Sequence, residues 1–135
     1  MATVFTRRRP AADSPMKNLP DEALTQVAAY FQALSEPTRL QILNQLRQQA
    51  RSVGELAQIC GYSAANISRH LALLAQHGLV ARESRGNSAY YAIADPSVYA
   101  LCDLVCGSIA RQFERSARSG AAFLAAGPTG TSTDG

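Results

Sequence analysis

The sequence predicts a mainly α-helical fold with a small β-hairpin, five helices and a β-wing, in a chain of 135 residues. Two observations predict it. Between Ser52 and Ile93, two short amphipathic segments meet at Gly61, and two strand-like runs then flank the turn residues Arg85-Gly86-Asn87-Ser88. On either side lie longer segments with apolar residues at helical spacing. Helix, tight turn, second helix and hairpin, in that order, are the parts of a winged helix-turn-helix.

The first helix is expected to start near Pro20, with Asp21 and Glu22 favouring the positive end of its dipole. Leu24, Val27, Ala28, Phe31 and Leu34 then recur at helical spacing until Ser35-Glu36-Pro37 breaks the pattern. Pro37 suits the first turn of a second helix, where its missing N–H goes unused. That helix carries Leu40, Leu43 and Leu46 on one stripe, with Ile42 flanking.

Ser52 and Glu55 have capping-box spacing and open a third helix, which turns Leu56 and either Ile59 or Cys60 inward. Gly61 ends it, since the left-handed conformation costs glycine nothing. Ser63 caps a fourth helix with Ile67, Leu71 and Leu74 as its buried stripe, closed by His77-Gly78. Leu79–Glu83 and Ala89–Ile93 are the strands of the wing. Asp95-Pro96 begins the last helix, with Val98, Cys102, Val105 and Ile109 on one face, Leu101 and Cys106 at its edges, and Phe113 and Leu124 extending it.

Residues 1–18 read as a flexible basic arm, 19–125 as one folded domain and 126–135 as a disordered polar tail. With 47% hydrophobic residues the domain has a modest core that self-association would reinforce. No segment approaches the ~18–20 continuous apolar residues that span a bilayer, so no membrane partner is expected. MATVFTRRRP lacks the apolar run of a secretory signal, so the expected location is cytoplasmic. Three cysteines, an odd number without disulfide-framework spacing, are then expected as thiols, available for packing, metal binding or redox sensing.

The net charge of +3 says little by itself. Arg7, Arg8, Arg9 and Lys17 against Asp13 place all of it in the arm, and the remainder balances nine basic with nine acidic groups. The informative pattern is local: Arg69, Arg82 and Arg85 against Glu83 alone between Ser63 and Ile93. A helix-turn-helix lays its second helix in the major groove. Opposite the buried stripe of the fourth helix remain Ser63, Ala64, Asn66, Ser68 and Arg69. The small residues permit close approach, Asn66 and Arg69 can pair bidentately with adenine and guanine, and serine hydroxyls suit phosphates. His70 adjoins this set as a base contact or as a packed side chain. Arg82 and Arg85 flank the wing tip, within reach of a neighbouring backbone or minor groove. The expected partner is duplex operator DNA. Two reading helices on a two-fold axis reach successive half-sites, so a homodimer through the first and last helices is expected.

The runs ALSEPTRLQILNQL and VGELAQICGYSAANISRHLALLAQHGLV, with the RGNSAYY wing, resemble the ArsR/SmtB family of bacterial metal-responsive repressors over about Leu24 to Phe113. The resemblance implies a dimeric winged helix that represses a promoter until an inducer binds. It carries DNA contact onto Ser63–His70 and the wing onto Arg82–Tyr91. The chain departs from the family's commoner sensing sites. Cys-x-Cys in the third helix would need thiols at Ala57 and Ile59, the last-helix zinc site needs a histidine that this helix lacks, and the persulfide sensors' second-helix cysteine is missing.

Cys102 and Cys106 remain. Four apart on a helix, their Cβ atoms lie about 5–6 Å apart, whereas a disulfide needs about 3.5–4.5 Å. A thiophilic ion can span them. Tetrahedral zinc wants more ligands. Three-coordinate arsenite or antimonite is favoured, mercury or cadmium also fit, and Cys60, Asp103, a partner subunit or water is a candidate third donor. No organic cofactor is expected. The competing reading is that these thiols, and Cys60 above all, are small buried hydrophobes. The alternative regulator of the same fold responds to thiol oxidation or persulfide. A dithiol enzyme lacks support, having no Cys-x-x-Cys, phosphate loop or nearby histidine, so no catalysis is expected, and a protein-binding adaptor is the remaining class.

Overall fold

A computed structural model of the chain describes residues 14–126. The arm predicted for 1–18 and the tail predicted for 126–135 therefore fall largely outside the described residues. Of the arm, Pro15–Asn18 form one turn of 3-10 helix, capped where Met16 N donates to Ser14 Oγ. The chain divides into two compact units between Ala94 and Asp95.

The first unit holds α1 (Asp21–Ala33), α2 (Pro37–Gln45), β1 (Arg51–Ser52), α3 (Val53–Cys60), α4 (Ala64–Gln76), β2 (Val80–Arg85) and β3 (Ser88–Ile93). Its core is Ala33, Ile42, Leu43, Leu46, Leu56, Ile67, Leu71, Leu74, Leu79 and Val80. α3 and α4 pack on each other and on α2, and β2 runs against α4. The caps form as the sequence indicates: Glu55 N donates to Ser52 Oγ while Ser52 N donates to Glu55 Oε1, and Asn66 N donates to Ser63 Oγ. Gly61, at φ 78°, turns the chain from α3 into α4.

The face of α2 is rotated from the predicted stripe. Thr38, Ile42, Leu43 and Leu46 are buried, while Leu40 is exposed. At about 100° per residue, centring the face on Ile42 carries Leu40 nearly to the opposite side. In α3, Leu56 and Cys60 share the inward face one full turn apart, and Ile59 is 44% exposed.

The sheet has three strands in the order β1-β3-β2, all antiparallel, where the sequence indicated two. β1 pairs Arg51 with Tyr91 and Ser52 with Tyr90. At two residues it is too short to show alternation, and Ser52 also serves as the α3 cap. Arg85 opposite Ser88 shortens the wing loop to Gly86-Asn87, with Gly86 at φ 65°.

The second unit is α5 (Ser97–Ala126), a single 30-residue helix. Its start is capped by Asp95, whose carboxylate accepts from Ser97 N and Ser97 Oγ. Val98 is buried and Leu101 and Cys102 half-buried, but Val105, Ile109 and Phe113 on the same stripe are open, Phe113 being 72% exposed. Leu24 and Phe31 of α1 are open as well. Among the described residues no helix is long and apolar enough to cross a membrane.

Candidate nucleic-acid interface and thiol pair

α4 buries Ile67, Leu71 and Leu74 and turns Ser63, Ala64, Ala65, Ser68 and Arg69 to solvent, with Asn66 half-buried between the two sets. Arg69 Nη2 donates to Asn66 Oδ1 at 3.3 Å. The structure therefore gathers Ser63, Ala64, Asn66, Ser68 and Arg69 on one accessible face at the start of the helix. Small side chains around one cationic fork suit an element that must sit deep in the major groove.

His70 lies apart from that face. Arg39 of α2 donates through Nε to Ala33 O (2.6 Å), through Nη2 to Gln32 O (3.1 Å) and through Nη1 to His70 Nδ1 (3.2 Å). One guanidinium thus satisfies carbonyls at the end of α1 and joins them to the reading helix. Glu36 caps α2 by accepting from Thr38 N and Arg39 N, and its carboxylate lies 4.0 Å from His70 Nε2.

Burial lowers the His70 pKa below its usual value, Glu36 opposes this, and Arg39 and Arg69 add to the lowering. The net direction outweighs the nominal ion pair with Glu36, so the imidazole is neutral. An arginine can only donate. Nδ1 is therefore the acceptor, and the proton sits on Nε2, on the Glu36 side. This is a positional role inside the protein, the packed alternative that the sequence left open for His70 beside a base contact.

A pH dependence follows. The folded state holds His70 below its unfolded pKa of about 6.5, so the unfolded chain binds the proton more readily in acid. The contribution is complete above that value and is lost as pH falls through the lowered folded pKa. Urea midpoints measured from pH 7.5 to 5 should fall more steeply in the natural chain than in His70→Gln. Parallel profiles would remove the histidine from the linkage.

On the wing, Arg85 Nη2 donates to Glu83 Oε1 at 3.0 Å, and its guanidinium lies over the Tyr90 ring, 4.6 Å from the centroid. Strand alternation puts Glu83, Arg85 and Tyr90 on one face. Arg82 lies on the other, in a row with Tyr91 and Arg51. The two wing arginines are thus exposed but do not act from the same side. Arg51 is itself engaged, donating through Nε to Gln45 O at 2.9 Å and closing the end of α2.

The Glu36–Arg39–His70 assembly and the β1 pairing escaped the sequence reading. The first left a signal, in the Glu-Pro-Thr-Arg run: a carboxylate at an N-cap, proline at the first helical position and a long cation one turn in.

Cys102 and Cys106 lie one turn apart on α5, the first half-buried and the second exposed. All three cysteines stand as thiols. Burial pushes the Cys60 thiol above its usual pKa, which favours its protonated, packed form. Among the described residues no three His, Cys, Asp or Glu side chains come together as a metal-binding group. Cys60 ends α3 in the first unit, and Asp103 lies on α5 in the second.

A helix-turn-helix with a cationic, small-residue reading face and a hairpin wing defines a DNA-binding transcription regulator. Comparison with known proteins bears this out: residues 34–83 match the family model described as a helix-turn-helix domain. The transcriptional regulator NmtR of Mycobacterium tuberculosis is 38% identical over 97 residues, covering 72% of this chain and 77% of NmtR. A homodimeric winged helix-turn-helix DNA-binding domain of Mycobacterium bovis, Mb0332, solved in solution, superposes with a TM-score of 0.63 at 34% identity, over 78% of this chain and 95% of that one. A protein of Streptomyces lividans described as a probable mercury resistance operon repressor is 34% identical over 71 residues, or 53% of this chain and 57% of its own length. The chain belongs to the ArsR/SmtB family of DNA-binding transcription regulators.

Proposed function

We propose that the protein is a homodimeric repressor that binds operator DNA through α4 and the wing and leaves it when a thiophilic metal or metalloid occupies Cys102 and Cys106. The observation that carries the DNA half is the division of α4 into a fully buried stripe and an open face bearing Asn66 and Arg69. The open apolar residues of α1 and α5 supply a contact between copies, in keeping with the homodimeric M. bovis relative.

The donor set favours soft ions. Two thiols a turn apart satisfy a two-coordinate ion such as mercury(II), and the S. lividans relative is in accord with that choice. Arsenite and antimonite, which the sequence favoured, need a third donor, from Cys60, Asp103, the second copy or water. A bound ion would tie successive turns of α5 together. α5 then holds the copies in a geometry that suits the operator less well, and the loss of affinity equals the ion's preference for that geometry.

The test is a fluorescent promoter fragment titrated with the full-length protein at several salt concentrations. The complex is then challenged with mercury(II), arsenite, antimonite, cadmium, zinc and persulfide. Binding that weakens with salt, followed by release on adding a thiophilic ion, is expected. Release by persulfide alone would give the site to the redox reading, and salt-insensitive or absent binding would refute the DNA assignment.

A further inference from the structure

We infer that Asn66 is a positioning residue that aims Arg69 at a guanine, so that the start of α4 reads guanine rather than adenine. This rests on the reading of α4 as the helix that enters the major groove. An asparagine recognises adenine with both ends of its amide: Oδ1 accepts from the adenine amino group and Nδ2 donates to N7. Here Oδ1 already accepts from Arg69 Nη2 at 3.3 Å, which occupies one of its two lone pairs and ties the amide to the arginine.

The guanidinium has five N–H donors and gives one to Asn66. The remaining four can serve guanine O6 and N7, two acceptors on one base edge. The spacing i, i+3 puts both side chains on the same face of the helix. Asn66 is half-buried, and its backbone N–H is bound to the Ser63 hydroxyl, which anchors the buttress to the capped first turn. Arg69 is exposed beyond it, with the small, exposed residues Ala65 and Ser68 close by on the helix. A fork already held by a neighbour surrenders less rotamer freedom on docking.

Two other arginines of this unit cannot take the same role without breaking contacts. Arg85 is bound to Glu83 and stacked on Tyr90, and Arg39 is spent on two carbonyls and His70.

The test is selection of binding sequences from a randomised duplex library by full-length protein, in natural form and as Asn66→Ala, Asn66→Asp and Arg69→Ala. The natural protein should enrich one guanine in each half-site, and Arg69→Ala should lose that preference alone. Asn66→Ala should weaken the same guanine preference about tenfold, and Asn66→Asp should restore it, because a carboxylate accepts the same Arg69 N–H, whatever the added charge does to overall affinity. The inference is overturned if either Asn66 variant erases a preference for adenine while the guanine position is unmoved. It is also overturned if Arg69→Ala leaves every position unchanged. Should the natural protein enrich no sequence at all, the operator-binding reading fails first, and the role of Asn66 falls with it.

Discussion

Replacing Cys102 and Cys106 together by serine is expected to leave operator affinity unchanged while abolishing release by a thiophilic ion. A serine hydroxyl has nearly the shape of the thiol but does not form the soft thiolate that mercury or arsenite requires. Cys106 is exposed and Cys102 half-buried, so the substitution disturbs little packing. In the natural protein the inducer should weaken DNA binding about 5–150-fold, the range given by a coupling of about 1–3 kcal/mol. In the double variant the ratio should approach one. Anisotropy of a labelled operator measures both, and ultraviolet absorption from the thiolate–metal bond reports occupancy independently. Each single variant should retain one donor and respond weakly. Cys60→Ser should respond normally, because its thiol is held protonated by burial. A double variant that is still released at natural inducer concentrations would take the sensing site away from α5.

Arg39→Ala is expected to produce the largest loss of stability among the polar substitutions. The guanidinium makes three side-chain bonds, two to the closing turn of α1 and one to the reading helix. Gln32 O also accepts from Ser35, but no second donor to Ala33 O is seen among the described contacts, and Ala33 is buried. Removing a half-buried charged donor from such carbonyls costs on the order of 2–3 kcal/mol. With a urea slope of about 1–3 kcal/mol per molar, the unfolding midpoint should fall by about 1 M or more, measured by circular dichroism at fixed protein concentration because dimerisation contributes. Arg39→Lys should recover only part, since one ammonium cannot meet three acceptors fixed by a planar fork. His70→Ala should cost less, because it removes one of the three bonds. An Arg39→Ala midpoint equal to that of the natural protein would show the clamp to be incidental.

The two experiments probe different parts of the chain, and those parts differ in how openly the sequence displayed them. The Ser52 and Ser63 caps, the Gly61 turn and the Ile67-Leu71-Leu74 stripe were legible because each depends on residues within one or two turns of each other. The same holds for the accessible face of α4, which is what remains of a short helix once its buried stripe is known. The face of α2 was not legible in the same way. Leu40, Ile42, Leu43 and Leu46 are all apolar, and periodicity alone allowed a stripe starting one position wrong. The strand Arg51–Ser52 left no pattern, because two residues carry no alternation and their pairing partners lie some forty positions away.

Local order was thus decided along the chain: helix starts, helix ends, the hairpin and the helix bearing the DNA-facing residues, all set by caps, turn residues and spacing whose partners are near neighbours. Tertiary structure alone decided the rest. It drew His70 inward to Arg39 and set Arg51 and Ser52 beside Tyr91 and Tyr90. Each of these depends on which polar atom finds which partner when the elements pack or the side chains settle. A buried donor or acceptor must be satisfied by whatever lies nearest in space, and distance in space is not written in the order of residues.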